Sequence, residues 1–217
     1  MTVSVIIPTH NRAHLVGRAI DSVLQQTYGD TEVIVVDDAS NDDTGKIAST
    51  FQDKRLRYIR HQINRGAPAA RNTGITNSQG SFIGLLDDDD EWHPQKLAKQ
   101  MQKFSEVAEK VGLIYTGHEV RGSDGGLLQT YLPEARGDVR LRLLMGTTIG
   151  SPTPLIRRAC FEQVGLFDED LKSCQDWDMW KRISEHYEFD YVPEILATNY
   201  LHKNQISADF SSMIPGR

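Results

Sequence analysis

Four consecutive aspartates, Asp87, Asp88, Asp89 and Asp90, follow directly on the short apolar run at residues 82–86. Two unit charges about 4 Å apart repel by roughly 1 kcal/mol in water and about 4 kcal/mol at an effective dielectric near 20, so such a cluster favours a bound cation. Its hard carboxylate oxygens suit Mg²⁺ or Mn²⁺. In an extended chain Asp87 and Asp89 point to the same side, their Cα atoms roughly 6.8 Å apart. That spacing lets one of them hold the metal while the other takes a ribose hydroxyl or a metal-bound water. The same residues would also make a solvated acidic turn ahead of a helix that Pro94 opens. The buried strand expected immediately before them is what raises a site to equal standing with that turn.

A second acidic strand end lies at Asp37 and Asp38, after the apolar residues 33–36. Ligands of open parallel sheets bind outside the carboxyl ends of the strands. Both acidic ends therefore belong on one edge, beside the turn that Pro8 begins after the first strand. There Asp38 could accept from a pyrimidine N–H, with Thr9 and His10 flanking the ring. Asp37 suits a turn that caps the next helix.

The elements that must position these residues follow from periodicity. Apolar runs at 3–7, 33–36, 56–59 and 82–86 read as strands. Between them, Val16, Ala19, Ile20, Val23 and Leu24 make one helical face, Ile47, Ala48 and Phe51 another, and residues 66–75 a small-residue helix. Strands alternating with helices indicate a parallel sheet covered on both faces. Further on, helices are expected at 94–111, 159–164 and 176–186 and strands at 113–116, 153–156 and 195–202. Asp138 caps a short helix holding Leu141, Leu143 and Leu144. The glycine-rich stretch 117–150 reads as loops over the sheet edge.

Composition narrows the classes. The chain has 217 residues, 39% of them hydrophobic and 25% charged, which is enough for one domain with a real core. A net charge of −6 argues against a nucleic-acid partner. There is no long apolar run for a membrane span and no signal-peptide start. Cys160 and Cys174 are isolated and read as free thiols of a reducing compartment. A cytoplasmic chain is expected, with peripheral contact at the inner face of a membrane left open.

Several segments together resemble family 2 glycosyltransferases of the GT-A fold: residues 3–12, 35–44, 64–66, 70–74 and 86–94, in the order that family has them. Residues 175–182 resemble its acidic catalytic helix start, and 200–207 its histidine-containing C-terminal segment. The resemblance implies an α/β fold with a Rossmann-like, mostly parallel central sheet flanked by helices on both faces. It implies a single domain over 1–217, with a nucleotide-sugar half at 1–111, an acceptor half at 112–207 and a tail at 208–217. The implied reaction moves a sugar, with inversion, from a nucleotide-sugar (a UDP-sugar in most members) to an acceptor hydroxyl. The acceptor would be a glycan, a lipid-linked glycan or a protein, with Mn²⁺ or Mg²⁺ as cofactor. Asp176 matches the base, Arg71 a nucleotide-contacting position, Asp87 and Asp88 the donor side of the acidic motif, and Asp89 the metal ligand. His202 is a further candidate for metal or diphosphate. The chain departs from the family at Gln175, where Glu is usual, and lacks the Gln-x-x-Arg-Trp segment of processive members.

Other classes are consistent with some of these features. A nucleotidyltransferase also places acids at strand ends, but with a glycine-rich phosphate loop where this chain has Pro8-Thr9-His10-Asn11-Arg12. A phosphoacceptor receiver domain would leave everything after Val111 unexplained. A non-catalytic nucleotide-sugar-binding domain would not need Asp176.

Overall fold

The computed structural model describes residues 1–146 and 149–201. The first half alternates as its apolar runs dictate: β1 (Val3–Thr9), α1 (Val16–Leu24), β2 (Thr31–Asp37), α2 (Thr44–Ser49), β3 (Leu56–Arg60), α3 (Ala67–Thr76) and β4 (Phe82–Leu85). β3, β2, β1 and β4 lie side by side in that order and all pair in parallel. Side chains alternate across the sheet. Val3, Val5 and Ile7 of β1 pack in the core on one face with Val16, Ala19, Ile20 and Val23 of α1. Ile6 points to the other face, with Ala70 and Ile75 of α3 and with Met179, Trp180 and Ile183. Each face is sealed by a helix layer, and that is why β1, β2 and β4 are almost wholly buried, while β3 at the edge of the sheet stays partly exposed.

The second half adds β5 (Glu91–Trp92), α4 (Lys96–Glu106), β6 (Val111–Arg121), β7 (Leu127–Tyr131), α5 (Arg140–Leu144), β8 (Leu155–Arg157), α6 (Arg158–Val164), α7 (Gln175–Ser184) and β9 (Glu188–Tyr200). The sheet continues from β4 through β8, β6 and β9 to β5, with β7 on the side of β6. β8 is antiparallel to both of its neighbours, whereas β6 and β9 pair in parallel. β6 and β9 consequently run in the direction of β1 and β4, and the carboxyl ends of all of them share one edge.

The stretch expected to be loops, 117–150, is more ordered than its glycines suggest. β6 runs on through His118, Glu119 and Arg121 because β9 and β7 satisfy its backbone on both sides. The register slips around Gly117, where a Cβ would meet Tyr131 O at 2.9 Å and Glu194 O at 3.1 Å. Only a glycine fits that bulge. α4 is shorter than its periodicity implies, because Val107 is already extended. Both cysteines are free thiols. No helix among the described residues is long and apolar enough to cross a membrane.

One core residue breaks the pattern. Lys96 of α4 is fully buried, its Nζ 3.8 Å above the Trp92 ring and donating to Gln100 Oε1 at 3.0 Å. Gln100 in turn donates to Ile114 O and Thr153 O, cross-linking β6 to the chain before β8. Desolvation, with no opposing carboxylate, pulls the Lys96 pKa well below 10.5. The unfolded chain keeps this amine protonated up to about that pH, so it binds more protons than the folded chain between the two values. Stability therefore falls as pH drops from about 10.5 through the folded pKa. Lys96→Met deletes the amine and keeps the stem. Its melting temperature is expected to gain on wild type steadily as pH is lowered from about 10.5 towards about 8. A difference constant over that range would mean that the buried amine keeps its proton.

Candidate active site

A cleft of about 550 Å³ opens at the shared carboxyl edge. Pro8, Thr9 and His10 from the end of β1, Asp38 from the end of β2, Arg71 from α3, Asp87, Asp88 and Asp89 after β4, and Asp176 from α7 all line it. Every site residue expected from the sequence is thus brought to one cleft, except His202, which lies outside the described residues. Arg12, Ser151 and Asn199 also line the cleft and are not picked out by sequence reasoning. Arg12 stands in the turn after β1, a position that gave the available signal. Ser151 and Asn199 reach the site only through the strand order of the second half.

The two acidic strand ends have different internal duties. Asp37 accepts from Ser40 N at 2.8 Å and pairs with Tyr58 OH, so it forms a turn as expected but does not cap α2, whose N-cap is Asp43. The Asp38 carboxylate accepts from the backbone N–H of Arg65 at 2.9 Å and of Gly66 at 2.6 Å, and lies 2.7 Å from His61 Nδ1. Gly66 has φ +89°, a left-handed conformation that suits glycine and carries its N–H onto Asp38 before α3 starts. Asp38 therefore shapes the wall of the cleft, and a bound base would compete with these bonds for its oxygens. His10 Nδ1 lies 2.7 Å from Asp38 O, which ties the ends of β1 and β2 together.

The four aspartates divide their work. Asp87 pairs with buried Arg71, Oδ1 to Nη2 at 2.6 Å, and Arg71 Nη1 donates to Gln175 Oε1 at 3.0 Å. One guanidinium so bridges α3, the acidic strand end and the first residue of α7. Gln175 is neutral where the resembling family has Glu, so Arg71 here has one carboxylate partner in that bridge and one amide. Asp89 faces Arg12 Nη1 at 3.4 Å. Asp90 is fully buried and accepts from Asn199 Nδ2 at 2.9 and 3.1 Å, latching the end of β9 to the acidic turn. Burial first, then Asp89 and Asp87, raise the Asp90 pKa well above the usual range. Burial, with Asp89 and Asp87 adding to it, pushes Asp88 up to about 7.

Burial is the first cause of both shifts, and what Asp87 and Asp89 add to it is a crowding of negative charge that a divalent cation would relieve. Among the described residues no three His, Cys, Asp or Glu side chains converge as a ready-made metal cage. The donor set suits a cation of the Mg²⁺ or Mn²⁺ type, which uses one or two carboxylates and completes its shell with water and ligand phosphates.

Asp176 sits in the first turn of α7, half-buried, with Oδ1 accepting from Trp177 N at 2.8 Å. Burial raises its pKa, Asp87 adds to the rise, and the Trp177 N–H and Arg71 oppose it. A carboxylate shifted upward is better suited to taking a proton near neutral pH than an ordinary aspartate. Trp180 is wholly in the core, while Trp177 is half-buried, with its Nε1 donating to Leu143 O at 2.8 Å.

The fold is that of the GT-A glycosyltransferases. TarS from S. aureus, in complex with UDP-GlcNAc, superposes with a TM-score of 0.80 at 22% identity, over 96% of this chain and 61% of that one. The mannosyltransferase PcManGT from Pyrobaculum calidifontis, in complex with GDP-Man and Mn²⁺, gives 0.72 at 22% identity, over 95% and 59%. Residues 4–164 match the profile of glycosyl transferase family 2, and the chain belongs to that family. An uncharacterized glycosyltransferase of Rickettsia prowazekii (strain Madrid E) is 36% identical over 94% of this chain, which spans 65% of that relative's length. The putative colanic acid biosynthesis glycosyl transferase WcaA of Escherichia coli (strain K12) is 32% identical over 93% of this chain and 72% of its own.

Proposed function

We propose that this chain is the catalytic domain of an inverting glycosyltransferase that uses a UDP-sugar and builds a cell-surface glycan. The observation that carries the proposal is the meeting, in one cleft, of the acidic strand end with Asp176 through the Arg71 bridge. WcaA is named for colanic acid, and a Bacillus subtilis relative, TuaG, for teichuronic acid, both in biosynthesis. An Escherichia coli relative, WfgD, 36% identical over 54% of this chain, is named for transferring glucose from UDP-Glc to a GlcNAc-diphosphoundecaprenol. The last of these names supports a lipid-linked glycan as the acceptor class, and in this reading the chain works in the cytoplasm at the inner face of a membrane.

In this reading Asp176 takes the proton of the acceptor hydroxyl as that oxygen bonds to the anomeric carbon. The bond from that carbon to the diphosphate breaks on the opposite side, and the nucleoside diphosphate leaves with the electron pair. Pro8, Thr9, His10 and Asp38 form the wall for the base, and Asp87 and Asp88 the side nearest the ribose and diphosphate. Asp89 would hold Mn²⁺ or Mg²⁺, with His202 a further candidate, and the cation supplies charge neutralisation for the leaving diphosphate. Arg71 fixes Asp87 and the start of α7 relative to each other, so that the donor side and the base keep their alignment.

Calorimetry with UDP, CMP and GDP, each with and without Mn²⁺, tests the donor half of the proposal. UDP is expected to bind most tightly and to depend on the metal. Equal affinities for all three nucleotides, unmoved by Mn²⁺, would remove the basis for a UDP-sugar donor.

A further inference from the structure

α5 and its C-cap residue Met145 carry three of their four apolar side chains on the wrong face for a core helix. Leu141, Leu144 and Met145 are 78%, 69% and 77% exposed. Their i, i+3, i+4 spacing places them on one side of the turn. Leu143, on the opposite side, is 2% exposed and belongs to the core. Successive helical positions are about 100° apart, so Arg140 and Arg142 fall on the two flanks of the outward stripe. An apolar stripe edged by cations on both sides is the arrangement of a helix lying at a lipid–water interface, where the apolar side chains enter and the arginines stay among the headgroups.

The charge around the stripe fits an anionic surface. Residues 134–142 hold three arginines against two carboxylates, in a chain of net charge −6. Arg140 pairs with Asp138 at 2.6 Å and Arg142 with Glu134 at 3.5 Å. Both are exposed pairs, which contribute little and yield readily to another anion. Arg136 is exposed as well. Three side chains on a single helical turn make far less than the roughly 800 Å² per partner of a standard protein interface, whereas shallow reversible insertion into a bilayer needs no such area.

The stripe is also tied to the site. The Trp177 Nε1 bond to Leu143 O fixes α5 to α7 one residue beyond Asp176. We propose that α5 docks this chain on an anionic phospholipid surface, with Leu141, Leu144 and Met145 inserted below the headgroups and Arg140 and Arg142 at the level of the phosphates. The docking would bring Asp176 to where a lipid-linked acceptor is presented, and only that consequence rests on the function proposed above.

Co-sedimentation with vesicles of equal parts phosphatidylglycerol and phosphatidylcholine, without donor and at low salt, tests it. Wild type is expected to pellet with these vesicles and less with phosphatidylcholine alone. The combined variant Leu141→Ser, Leu144→Ser, Met145→Ser is expected to lose about tenfold in bound fraction, with its Mn²⁺-dependent UDP affinity unchanged. These side chains are solvent-exposed, so the variant keeps its core. Wild type that stays in the supernatant, or a variant that pellets as well as wild type, overturns the docking. Self-association of wild type through the stripe, with no vesicle binding, would also overturn it and assign the stripe to a second copy. Loss of UDP binding in wild type would count against the transferase reading alone, since the vesicle result is read without nucleotide.

Discussion

Asp89→Asn is expected to abolish the Mn²⁺ dependence of UDP binding while the fold stays intact. The asparagine keeps size and shape but removes the negative charge through which Asp89 would hold the cation. It also relieves a repulsion, because the charge on Asp89 helps to raise the pKa values of Asp88 and Asp90. The lost 3.4 Å pair with Arg12 offsets that relief, so the variant should melt close to wild type, and its titration with UDP should be the same with and without Mn²⁺. Asp87→Asn makes the contrast. The resemblance gives Asp87 the outer or ribose role and the milder effect on binding, but the structure gives it the 2.6 Å pair with buried Arg71. Breaking one side of a buried ion pair costs about 3–5 kcal/mol, so Asp87→Asn should be the less stable of the two variants. Metal-dependent UDP affinity retained in Asp89→Asn would move the metal site elsewhere.

The second large effect falls on turnover. Asp176→Asn should cut sugar transfer by roughly 10²–10⁴-fold, the usual contribution of a general base, and leave UDP affinity nearly unchanged. The separation follows from position. Asp176 lies on α7, across the Arg71 bridge from the acidic strand end, and its raised pKa comes first from burial and not from a partner that holds it charged. Transfer at the wild-type rate in this variant would put the base elsewhere. Asp178 is the next carboxylate in sequence, but it pairs with Arg182 at 2.8 Å, which makes it the poorer base.

The first half of the chain was legible because its signals are local. Each of β1, β2 and β4 is an apolar run ended by a polar turn, and α1 shows its buried face at Val16, Ala19, Ile20 and Val23. Where such strands lie in parallel, the polar ends must gather at one edge, so Thr9, His10, Asp38 and the aspartates could be placed together before any coordinates. The second half hid for the opposite reason. Beyond the strands expected at 113–116 and 195–202, β6 and β9 extend through Glu119, Arg121 and Asp190, residues that look like loop in isolation. Their strand character comes from pairing with each other across more than 60 residues, a cost and gain that no local window contains. Asp90 and Lys96 were opaque for a related reason. One reads as part of an acidic run and the other as a helix surface charge, until the fold buries both.

The most direct test is a donor panel followed by NMR of the glycosylated product. Wild-type protein with Mn²⁺ is offered α-linked UDP- and GDP-sugars and a CMP-sugar together with a lipid-diphosphate acceptor, and the configuration of the new glycosidic bond is read. The account predicts consumption of a UDP-sugar, release of UDP, and a β-configured product, with Asp176→Asn nearly silent under the same conditions. A product of retained α configuration, release of a nucleoside monophosphate, or full activity in Asp176→Asn would contradict it.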